Sequence, residues 1–170
     1  MTPDQIRTLQ RPLKERYRSD PRTALIKLEA TGTLDESSVT CQVPTFAGIA
    51  TAGLHPAAGG DGTEACSGDM LLQALVACAG VTLRAVATAM NIPIRGGTVR
   101  AEGDLDFRGT LGMTREVPTG FQAIRVRFDL ETDAPAEQLA KLKELTERYC
   151  VVAQTLLVSP TLSVSLETTA

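Results

Sequence analysis

From Ser67 to Met90 the chain offers water almost nothing: nearly every position is apolar or small, and no polar face recurs at helical spacing. A helix of this kind must be covered on every side, by its own chain or by a partner. Ser67 or Asp69 is placed to cap its start, and Asn91-Ile92-Pro93 to end it near Met90. Its longest apolar stretch, Met70 to Leu83, includes Gln73 and Thr82 and runs into Arg84, which is too short to cross a bilayer. The expectation is a buried central helix in a protein that does not enter membranes.

The rest of the chain has to supply that cover. Alternation predicts strands over Ala24 to Ala30, from Val39 through Cys41 and Val43, from Val99 to Phe107, and from Ile124 to Leu130. Leu162, Val164 and Leu166 predict a short closing strand. Between Pro44 and Gly68 the glycine-rich segment Ala58-Gly59-Gly60-Asp61-Gly62 predicts a long loop after a strand near Ile49. Asp133, with Pro135 in the first turn, predicts the N-cap of a second helix carrying Leu139, Leu142, Leu145 and Tyr149, with Glu137–Lys141 and Glu144–Arg148 pairs outside. A polar helix with the thin stripe Ile6, Leu9, Leu13 covers Pro3 to Arg18, and Ser19-Asp20-Pro21 ends it. The fold class is α+β, with a helical extension over residues 1–20 and one domain over 21–170.

At 170 residues and 43% hydrophobic, the chain builds a core without disulfides or a metal. Lys plus Arg total 17 against 20 Asp plus Glu, and no basic cluster stands beside aromatic residues, which argues against nucleic acid. No basic, then apolar, leader opens the chain, so a cytoplasmic protein is expected. In a reducing compartment the cysteines are free, catalytic or metal-bound. Cys41, Cys66, Cys78 and Cys150 contain no C-x-x-C pair and His55 is the single histidine, so the spacing excludes an ordinary zinc site. No phosphate loop, dinucleotide fingerprint or nucleophile elbow occurs. Cys78 and Cys150 remain, each either a small buried hydrophobe or a reactive thiol.

Three segments in order carry a resemblance: Gly68-Asp69-Met70-Leu71-Leu72-Gln73-Ala74-Leu75-Val76-Ala77-Cys78, then Ala101-Glu102-Gly103-Asp104-Leu105-Asp106-Phe107-Arg108-Gly109, then Glu147-Arg148-Tyr149-Cys150-Val151-Val152. Together they resemble the OsmC/Ohr family, the osmotically inducible and organic hydroperoxide resistance proteins, over most of residues 22–168. The resemblance implies antiparallel sheets wrapped around two long central helices in an intertwined homodimer, with sites at the subunit interface. It implies a peroxidatic Cys78 and a resolving Cys150, an organic hydroperoxide or other small apolar ligand, no bound cofactor, and a dithiol reductant of the lipoyl type.

The family's thiolate is supported by an arginine from the early strands, and here no arginine stands between Arg22 and Arg84. His55, in the loop, is the candidate to supply a cation in its place, or is an exposed loop histidine. Asp69, nine positions before Cys78, matches an acidic position of one branch of the family, or is a first-turn helix acid. Arg108 either orients a neighbouring segment or sits on a solvated strand face. With the arginine missing, two functions stay open: a cysteine-based hydroperoxide reductase, and a non-catalytic redox-sensing or ligand-binding member of the same fold.

Overall fold

The computed structural model describes residues 1–168. Helix α1 (Pro3–Ser19) is closed at its start by a reciprocal cap, in which Thr2 and Gln5 each accept the other's backbone N–H, and its chain turns at Asp20-Pro21 as expected. Strands β1 (Thr33–Leu34), β2 (Cys41–Thr45), β3 (Gly48–Gly53) and β4 (Ala65–Cys66) form one sheet in that order. Helix α2 (Ser67–Ala89) follows directly, then β5 (Gly96–Asp104), the short α3 (Phe107–Thr110), β6 (Ala123–Glu131), α4 (Ala136–Tyr149) and α5 (Val151–Leu157). Strands β5 and β6 make a two-stranded antiparallel sheet, with Val99 opposite Phe128 and Ala101 opposite Val126. Their other face carries charge, including Arg125 on Asp104 at 2.5 Å.

Core and helix agree on one stripe only. Leu75, Ala79, Leu83 and Ala87, four apart along α2, are buried against β5, α4 and α5. One cluster gathers Leu83, Ala87, Ile92 and Leu142, the other Leu75, Ala79 and Cys150. On the opposite side of α2, Ala74, Ala77, Val81 and Ala85 face outward, and Val81 is 71% exposed.

Several expectations are corrected. The four-stranded sheet is mixed, because β3 and β4 run parallel, with Ala52 opposite Ala65. Residues 25–30 and 162–166 lie in no strand or helix, since neither finds a ladder partner among the described residues; Leu28 and Val164 are 88% and 86% exposed. Neither Ser67 nor Asp69 caps α2. Its N-cap is Cys66, whose side chain makes no capping bond. Asp133 does not cap α4 either: its carboxylate is held by Arg95, and Pro135 stands at the N-cap. On α4 the ion pairs are Lys141–Glu144 at 2.7 Å and Lys143–Glu147 at 3.3 Å, while Arg148 lies over the Tyr149 ring. The predicted long loop is shortened by β3, a tight turn at Pro56–Ala58 and β4.

The central helix has the bounds expected of it, Ser67–Ala89 against Ser67 or Asp69 to about Met90. At 23 residues α2 is long and apolar enough to span a membrane by length and composition, yet its packing against β5, α4 and α5 makes it a core helix.

Candidate functional site: two cysteines on adjoining helices

Cys78 lies in the middle of α2. Cys150 ends α4 and begins α5, and the break there is needed to turn the chain. Cys150 is 1% exposed, Cys78 half-buried, and the two meet in a cluster with Leu75, Ala79, Val99, Ala101, Ile124, Phe128, Val152 and Ala153.

The two thiols are held at different acidities. Burial pushes the Cys78 thiol up, but the Val152 backbone N–H, the Cys150 thiol, the Val151 backbone N–H and the Thr82 hydroxyl favour its thiolate and bring it below the ordinary cysteine value. Those N–H groups are free for it, because α5 starts without a side-chain cap. Burial raises Cys150, and the neighbouring Cys78 raises it further against the opposing Ala153 and Val152 N–H groups. Of the two, Cys78 is therefore the more acidic thiol and Cys150 the less.

Leu75, Ala79, Ile124 and Phe128 of this cluster also wall an apolar cavity of about 260 Å³, completed by Val126 and Leu156 with Lys143 and Glu147 in its lining; neither cysteine lines it.

The remaining candidates lie apart from this pair. His55 accepts the Ala57 N–H at Nδ1, 3.0 Å away, and stacks on Phe107 with ring centroids 4.9 Å apart. That bond suits a neutral imidazole. Gly60 lets the loop fold back beneath it, since a Cβ there would stand 1.7 Å from the Leu54 carbonyl oxygen. Arg108 is committed to Asp106 at 2.5 Å, and this pairing holds the Asp106 carboxyl down at about 2. Asp69 is an exposed acid in the first turn of α2, about 13 Å along the helix from Cys78 and turned away from it. Thr82 and the N–H groups of Val151 and Val152 escaped the sequence reading. Thr82 had a signal, four residues past Cys78 on the same helix face; the N–H groups had none, because the break after Tyr149 is not written as a turn motif.

The acidity order has a direct check. Cys78 is expected to react with iodoacetamide faster than Cys150 from pH 6 to 8, with its rate falling only as pH drops through its lowered pKa. Thr82→Val should move that profile to higher pH. Peptide mapping reads both; equal rates, or Cys150 ahead, would contradict the arrangement.

The chain belongs to the OsmC family: the family model for OsmC-like protein matches residues 60–165. Among solved structures it is similar to an OsmC-like protein from Mycoplasma pneumoniae, at 17% identity and TM-score 0.65, covering 79% of this chain and 89% of that one. It is also similar to an organic hydroperoxide resistance protein OsmC from Legionella pneumophila, at 16% identity and TM-score 0.59 over 78% of this chain and 91% of that one. A third, an organic hydroperoxide resistance protein from Elizabethkingia anophelis with thiocyanate bound, matches at 16% identity and TM-score 0.59 over 79% and 91% of the two chains. At such identities the likeness establishes the shared fold. No curated protein matches the sequence.

Proposed function

We propose that the protein is a thiol-dependent peroxidase that reduces organic hydroperoxides, working as a homodimer. The observation that carries this reading is the pairing of a thiol of lowered pKa, Cys78, with a buried thiol of raised pKa, Cys150, beside an apolar cavity. The Cys78 thiolate attacks the terminal oxygen of R–O–OH, the O–O bond breaks, and the alkoxide leaves to take a proton as the alcohol. Cys78 is now a sulfenic acid. Cys150 attacks its sulfur, water departs, and a Cys78–Cys150 disulfide remains. A dithiol donor, of which a lipoyl group is one, returns two electrons and two protons to regenerate both thiols. The alkyl part of the substrate fits the cavity beside Leu75 and Phe128. Val152, Val151 and Thr82 favour the Cys78 thiolate where the early arginine is absent, without His55, Asp69 or Arg108.

The dimer is supported by surface area. The chain exposes 13118 Å², whereas a compact monomer of 18.0 kDa exposes about 8,000 Å². The difference, about 5,000 Å² per chain, is surface a compact monomer would not show, and it is more than enough for the interface of an obligate dimer. It lies where apolar groups are bare: Val81 on α2, Phe46 at the β2–β3 turn, and the unpaired segments around Leu28 and Val164.

The cavity also favours a second reading, in which the same fold binds a small apolar molecule and the cysteines only sense redox state. One assay separates them. With dihydrolipoamide as reductant, the peroxidase is expected to turn over cumene hydroperoxide at least about tenfold better than hydrogen peroxide, because only the former gains from the apolar wall. No dithiol-dependent turnover of either would leave the binding reading.

A further inference from the structure

The charge of this chain is divided by segment. Helix α1 carries Arg7, Arg11, Lys14 and Arg18 at spacings of four, three and four, which puts them in one stripe along the helix. From Leu28 to Leu83, the stretch that builds the four-stranded sheet and most of α2, there is no lysine or arginine at all, while Glu29, Asp35, Glu36, Asp61, Glu64 and Asp69 are acidic. Within one chain these two sets do not meet. Among the described residues, Arg7 pairs with its helix neighbour Asp4 at 2.6 Å, and Arg11, Lys14 and Arg18 have no ion pair. Of the six acids, Glu29 alone has a cation among the described residues, Lys27 two positions before it.

The helix is bare on its apolar side as well. Leu9 and Leu13 are 61% and 42% exposed and no residue of α1 is buried, although the helix touches α2 and Ile6 and Tyr17 are half-buried. It also precedes the segment matched by the family model, which begins at residue 60.

We propose that α1 is a clasp between two copies of this chain: its cation stripe seats on the acidic sheet segment of the partner copy, and Leu9 and Leu13 are covered in the same contact. The proposal rests on the dimer inferred above. Complementary charge that cannot be satisfied inside one chain is satisfied by the same two surfaces across two, each copy giving one helix and receiving another. Such a contact is electrostatic at its rim, so it weakens as ionic strength rises.

The test is subunit exchange between isotopically heavy and light full-length protein, followed by native mass spectrometry at low and high salt. Arg11→Glu/Lys14→Glu/Arg18→Glu is expected to speed exchange at least about tenfold at low salt, with a smaller effect at high salt. Glu36→Lys/Glu64→Lys should do the same from the other side, so a folding defect in one variant does not decide the matter. Combining the five substitutions reverses both surfaces and should bring exchange back to within about threefold of wild type. A dimer whose exchange is unchanged by either set, or whose combined variant is no slower than the parents, overturns the clasp and leaves the dimer standing. Binding of α1 to vesicles rich in anionic lipid, with exchange unaffected by the substitutions, overturns it too. A wild type that is monomeric at every concentration overturns both.

Discussion

Cys78→Ser is expected to lower kcat/KM for cumene hydroperoxide by at least about a thousandfold, since a serine hydroxyl in the same place has no accessible anion at neutral pH and no thiol chemistry to offer the O–O bond. The fold should survive, because the change is nearly isosteric in a half-buried position. Cys150→Ser separates the two roles. Its Cys78 keeps the backbone groups of Val151 and Val152 and the Thr82 hydroxyl that favour the thiolate, so the first turnover proceeds, but no thiol stands ready to condense with the sulfenic acid. Dimedone should then label Cys78 stoichiometrically after one equivalent of hydroperoxide, and steady turnover with dihydrolipoamide should fall about tenfold or more. If Cys150→Ser proved as inert as Cys78→Ser in that first turnover, the division of labour would be wrong.

The sequence and the structure part company at particular places. The β5 and β6 patterns are legible because each buries a face inside its own chain, so alternation and contact agree, whereas α2 is apolar nearly all round and only its contacts single out the buried stripe. The alternation at residues 24–30 and 162–166 is equally clean, yet a strand is defined by its ladder, and no partner for either lies within the described residues of one chain. The two expected caps failed for a different reason. Asp133 had a better offer from Arg95, which is distant in sequence and adjacent across the β5–β6 end. At the site, the structure brings together the two cysteines that the family resemblance singles out, and it sets beside Cys78 groups that the sequence reading did not name. A cation is expected because burial opposes a thiolate; the groups that favour the Cys78 thiolate here are the backbone at the uncapped start of α5, the Cys150 thiol and a threonine one turn away. Backbone N–H groups leave no letter in a sequence.

The second large effect concerns a residue with almost no contacts. Val81 is 71% exposed in a single chain, so Val81→Asp would be expected to change stability by no more than about 0.5 kcal/mol if the protein worked alone. The shape of α2 argues otherwise. Val81 stands among Ala74, Ala77 and Ala85 on the side of the helix opposite the buried Leu75–Ala79–Leu83–Ala87 stripe, and a row of small apolar residues suits a close helix-to-helix approach. In the dimer proposed here that side is the interior. An unpaired carboxylate there should destabilise the assembly by about 3 kcal/mol or more, because a charge without partner or water is left in a low-dielectric contact. Sedimentation should find monomer or aggregate, thermal unfolding should begin well below wild type, and peroxidase activity should fall with assembly. Gln138→Asp, on an exposed position of α4, should change none of these. A Val81→Asp protein as stable and as dimeric as wild type would place the interface on another face of the molecule and leave the bare side of α2 without a reason.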